Sequence, residues 1–135
     1  MEQKTLERHK LPSGAVLVVG MPSFEAADEL MNAFMGQAAK TGEKPDMRRS
    51  ALLSVVASPV IKSAIFLCAE KTRWAPFGDE GFVPVNKQLF DDPEYGERAR
   101  KDFVEILLTV LGVTMRPFFE SAFSESTAEA AKVGG

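Results

Sequence analysis

Residues 72–92 read "TRWAPFGDEGFVPVNKQLFDD", and the fold class turns on how they are taken. About twenty residues pass here without helical periodicity, and the interspersed glycines and prolines forbid a long regular element. Yet Trp74, Phe77, Phe82 and Phe90 are too apolar for a free linker. A folded, irregular, aromatic-rich loop or small hairpin, with "FVPV" as one arm, meets both conditions. Loops of this length usually have a job. Taken as a loop, the stretch leaves the flanking helices to build the domain.

Upstream, "TLERHKLPSGAVLVVGMP" predicts a β-hairpin turning at Pro12-Ser13-Gly14, with its charged first arm, Thr5 to Leu11, as an exposed edge. His9, the only histidine, reads as a solvated strand residue, with neither a cysteine nor a second histidine beside it. Ser23 caps a first helix. Its apolar stripe, Phe24, Ala27, Leu30, Met31, Phe34, Met35 and Ala38, recurs at three- and four-residue spacing and stops near Gly42. Asp46 caps a second helix through Val56. Ser58-Pro59 starts a third, whose buried stripe is Val60, Ile61, Ala64, Ile65 and Cys68.

Downstream, Asp92-Pro93 begins the clearest helix, with Tyr95, Ala99, Phe103, Ile106, Leu107, Val110 and Leu111 toward the core. Glu94, Arg98 and Asp102 stand four apart on another face, as surface ion pairs do. Gly112 loosens the end of this helix, and "TMRPFFESAF" adds one more, kinked or started by Pro117. The expected fold is mainly α: a small helical domain of about five helices with an N-terminal β-hairpin and an irregular aromatic-rich loop. Its body spans residues 1–123, and residues 124–135 form a flexible C-terminal tail.

The 135 residues suit one domain. Sixteen basic against nineteen acidic residues, a net charge of -3, argue against a protein that holds nucleic acid by neutralising phosphates. A lone cysteine, Cys68, in an apolar run fits a reducing compartment and a buried thiol. "MEQKTLERHK" lacks an apolar signal core, and Ala51 to Ala69 is too interrupted for a membrane span, which together predict a cytoplasmic protein.

Catalytic patterns are missing. The chain has no HExxH, CxxC or glycine-rich phosphate loop, and "GDEG" and "FDDPE" carry too few ligands for a metal loop. The expectation is therefore no enzyme, no metal and no cofactor. Apolar surface becomes the main clue. Adjacent Phe118 and Phe119 cannot share one narrow helical stripe, so one of them needs a second surface. The candidate partner-binding residues are Met31, Met35, Trp74, Phe77, Phe118, Phe119 and Phe123, either lining a groove or forming a self-association surface. The competing reading has Phe118 and Phe103 stapling the last helix to the core.

The order of these features resembles the tail assembly chaperones of long-tailed bacteriophages. It rests on the hairpin "LPSGAVLVV", the helices "PSFEAADEL" and "IFLCAEKTRW", then "LFDDPEYGERARKDFVEIL" and "MRPFF" before a polar end. Phe90-Asp91-Asp92 with Arg98 and Asp102-Phe103, followed by Pro117-Phe118-Phe119, carry most of it. The chain departs from the family in "WAPFGDEGFVPVN", where relatives have a shorter, more polar turn. The resemblance implies a chaperone that coats the hydrophobic tape-measure protein and keeps it soluble. It also implies recruitment of tail-tube subunits through a longer frameshifted form, this chain being the short one. Such proteins act in the host cytoplasm, self-associate weakly and are absent from the mature virion, with neither nucleic acid nor membrane as partner. The alternative is a structural head–tail connector or tail-completion protein, which would form a stable ring. A small DNA-binding regulator would need more than the short basic cluster "KPDMRRS".

Overall fold

The computed structural model describes residues 6–41, 49–78 and 80–134, with side chains described for residues 7–37, 52–78 and 80–118. Two strands open the chain, β1 (Leu6–Lys10) and β2 (Val16–Gly20), paired so that Lys10 faces Val16 and Leu6 faces Gly20. Their turn is the one the sequence announces. Gly14 takes φ +95°, its N–H donates to the Leu11 carbonyl at 2.9 Å, and the Leu11 N–H donates to Ala15 at 2.8 Å.

Three helices follow: α1 (Phe24–Thr41), α2 (Arg49–Val55) and α3 (Pro59–Cys68). Serine caps two of them as expected: Ser23 Oγ accepts from Ala26 N at 3.2 Å, and Ser58 Oγ from Ile61 N at 3.5 Å. The expected cap Asp46 lies outside the described residues.

The chain then returns to the sheet. β3 (Arg73–Ala75) pairs antiparallel with β2, and β4 (Val83–Pro84) pairs antiparallel with β3. The order is β1-β2-β3-β4, which makes β1 and β4 the edges and gives Pro84 a position where its missing N–H costs no central ladder bond. A 3-10 helix (Lys87–Asp91), capped by Asn86 Oδ1 on Leu89 N at 2.9 Å, leads to α4 (Gly96–Gly134).

This arrangement overturns the mainly α expectation. The fold is mixed, with four α-helices and a four-stranded antiparallel sheet among the described residues. Two physical causes account for the difference. Strands of three and two residues show no period in sequence, and they form because the hairpin offers β2 as a template fifty-odd residues upstream. In addition, Gly112 does not end the long helix and Pro117 lies inside it, so two expected helices are one.

Cross-strand neighbours point to the same side of a sheet. His9, Leu17, Trp74 and Val83 therefore form one row, and Glu7 lies beside Val19 on the same face. The helices cover that face: α1 packs along α3, and α4 touches α1, α2, α3 and β2. Leu17, Val19, Leu30, Phe34, Ile61, Ile65, Trp74, Ile106, Leu107, Leu111 and Met115 fill the space between. His9 is only partly solvated, its side chain 31% exposed. Its Nε2 is buried without a well-directed hydrogen bond, 3.2 Å from Glu7 Oε1.

Candidate functional site

A partly enclosed concavity lies where the end of β2, the start of α1 and the middle of α4 meet. Met21 and Pro22 leave the sheet there, Phe24 and Ala27 form one wall, and Val113, Thr114, Pro117 and Phe118 form the other. The four α4 residues fall at spacings that keep them on one helical face. The groove holds about 430 Å³. It is open to solvent, with Met21 61% and Phe24 74% exposed. Sequence reasoning had assigned Phe24 to the α1 core stripe because its spacing fits. In the first turn of α1, however, it stands beyond the packed layer. Val60, at the corresponding place in α3, is likewise exposed.

The rim is charged and orderly. Arg116 Nη1 and Nη2 donate to Glu7 Oε2 and Oε1 at 2.9 and 3.3 Å, a bidentate pair that pins α4 to β1 beside the groove. Pro117 cannot donate to the Val113 carbonyl, which leaves a backbone acceptor on the apolar wall without its usual donor. The Thr114 hydroxyl is buried and makes no hydrogen bond of good geometry among the described residues. Behind it lies Cys68, whose Sγ donates to the Ala26 carbonyl at 3.3 Å. Burial pushes the Cys68 thiol up to about 11, with a smaller opposing pull from the nearby Thr114 hydroxyl. A thiol held that high is a poor nucleophile at neutral pH.

The other expected site residues are dispersed. Phe118 packs half-buried in the groove wall. Met31 is half-buried against the core, and Met35, 39% exposed, is eleven residues along α1 from Phe24, roughly 16 Å at the helical rise. Phe77 is exposed under the Arg98 guanidinium, 4.6 Å from the ring centroid. Phe119 and Phe123 lie on the helical backbone, and their side chains fall outside the described ones.

Trp74 is fully enclosed and presents no surface to a partner. Its indole Nε1 donates to Asp102 Oδ2 at 2.9 Å, and Ser13 Oγ donates to the same oxygen at 3.0 Å. Asp102 is thus an interior acceptor tying the hairpin turn, β3 and α4 together, and not the surface ion-pair partner that its spacing from Arg98 suggested. Among the described residues no helix is long and apolar enough to cross a membrane, and no cluster of three or more ligating side chains is arranged for a metal ion. Searches against protein-family models, curated proteins and solved structures return no match to this chain.

Proposed function

We propose that this protein is a tail assembly chaperone of a long-tailed bacteriophage, and that the groove between α1 and α4 receives apolar helical segments of the tape-measure protein. The observation that carries the reading is the exposure of Met21 and Phe24 beside a cleft walled by two helices. Such a cleft suits a third helix whose apolar side chains recur at helical spacing. Full burial of each large apolar side chain contributes about 1.5–3 kcal/mol, most of which is offset by the loss of translational and rotational freedom on binding. One site is therefore weak, and many copies along a long client bind by avidity and come off when tube subunits displace them. In this reading the protein works in the host cytoplasm, a longer frameshifted form recruits the tube subunit, and neither form stays in the finished particle.

The test uses exposed positions, so that folding and binding separate. Phe24→Ser and Met21→Ser should leave the unfolding free energy within about 0.5 kcal/mol of the parent, as surface changes usually do. Together they should abolish solubilisation of co-expressed tape-measure protein. A double variant that still keeps the client soluble refutes the groove. Recovery of the protein at stoichiometric levels in purified virions refutes the chaperone role in favour of a connector.

A further inference from the structure

A second concavity has a different character. Phe66 from α3, Phe90 from the 3-10 helix and Phe103 from α4 make its floor, and Lys62, Lys87 and Arg100 stand around it. It holds about 470 Å³. The rings pack edge to face, Phe66 to Phe90 at 6.0 Å and Phe90 to Phe103 at 5.1 Å, while Lys62 Nζ stands 5.8 Å from the Phe103 centroid. Among the described residues no carboxylate lines it. Arg100 pairs with Asp91 at 3.1 Å in an exposed contact that an incoming carboxylate can replace, since such pairs contribute little. A chain of net charge -3 thus carries a cationic, aromatic-floored groove. Rings engaged edge to face, with a lysine over one of them, leave no flat platform for nucleobases. The chemistry instead fits a segment that combines carboxylates with apolar anchors.

This chain contains such a segment. Residues 119–131 read "FESAFSESTAEAA", with Glu120, Glu125 and Glu129 around Phe119 and Phe123 and no basic residue before Lys132. It cannot reach the groove of its own molecule. Phe103 and Phe119 sit on one continuous helix, sixteen residues apart, which at the helical rise is roughly 24 Å. We infer that the Phe66–Phe90–Phe103 groove binds the acidic, phenylalanine-bearing C-terminal segment of a second copy of this chain. The two partners of the contact are different surfaces, so each bound copy presents a further groove and a further segment. Assembly through this contact is head to tail, and it grows into open chains unless the rotation between copies closes a ring. The inference is independent of the client groove.

Sedimentation velocity over a concentration series tests it on the full chain. The parent should sediment faster with rising concentration, with no plateau at a dimer, and added salt should reverse this. Lys62→Glu with Lys87→Glu should remain monomeric, and so should Glu120→Lys with Glu125→Lys. An equal mixture of the two variants should associate again, because unlike charges then meet at both kinds of contact. A peptide of residues 119–131 should bind the parent saturably and bind the groove variant roughly tenfold or more weakly. A parent that stays monomeric at its highest soluble concentration overturns the inference. So does failure of the mixture to associate, or absence of peptide binding to the parent. Retention of single-stranded RNA that is lost in the groove variant, with association unchanged, assigns the groove to nucleic acid instead.

Discussion

Asp102 shows how one side chain can hold three distant pieces of chain. Its Oδ2 is the shared acceptor for the Trp74 indole and the Ser13 hydroxyl. Hydrogen bonds to a charged acceptor contribute about 1.5–3 kcal/mol, and removing the acceptor also leaves a buried N–H without a partner. Asp102→Ala should therefore lower unfolding stability by about 3 kcal/mol in urea titration, while Ser13→Ala should cost only about 1 kcal/mol. The sequence held a signal for this role. A buried indole N–H needs an acceptor, and Asp102 is the one it finds. The i,i+4 distance to Arg98 drew the reading to the surface. Cys68 supplies a second residue-scale test. Its folded pKa of about 11 lies above the unfolded 9.0, so between those values the unfolded chain holds fewer protons than the folded one. This contribution to stability is complete below pH 9 and is lost as pH rises toward 11. Urea midpoints measured over that window should fall more steeply for the parent than for Cys68→Ala.

Among the elements, the helix starts were the most legible part of the sequence, because a cap acts within three residues. Ser23 and Ser58 accept the expected backbone N–H bonds, whereas Asp92 accepts from Glu94 and Tyr95 at 2.7 and 2.8 Å in a turn that precedes α4, which begins at Gly96 and not at the expected Asp92-Pro93. β3 and β4 were illegible for the opposite reason: they exist through pairing with residues far away. The joint between the 3-10 helix and α4 rests on a close approach that favours glycine. A Cβ on Gly96 would lie 3.1 Å from the Phe90 carbonyl oxygen, which already accepts from Arg100 Nε at 2.8 Å. In an open helix Gly→Ala gains about 1 kcal/mol. Here Phe90 is held from two sides by Phe66 and Phe103, so overpacking prevails and Gly96→Ala should lose about 1 kcal/mol by thermal denaturation.

For the molecule as a whole, the sheet and the helices share one core, in which Trp74 touches the hairpin through Leu17 and α4 through Asp102. Indole fluorescence and far-ultraviolet dichroism should accordingly give coincident urea transitions, as a single cooperative unit does. Separated transitions would mean that the helical layer survives without the sheet. The groove between α1 and α4 was only partly visible in sequence. Phe118 stood out through its doublet, whereas Met21 and Phe24 fell into a pattern that also describes a core stripe. Their exposure is settled by where β2 ends and α1 begins, a matter of three-dimensional docking that periodicity does not encode.

The placement of residue 102 also bears on synthesis. A ribosome delivers the hairpin first, then Trp74, yet the oxygen that both are fastened to emerges only with α4. Until then the young polypeptide carries four strands and a greasy ring without α4 to close over them, and sheet and helices can lock together only once α4 has been delivered.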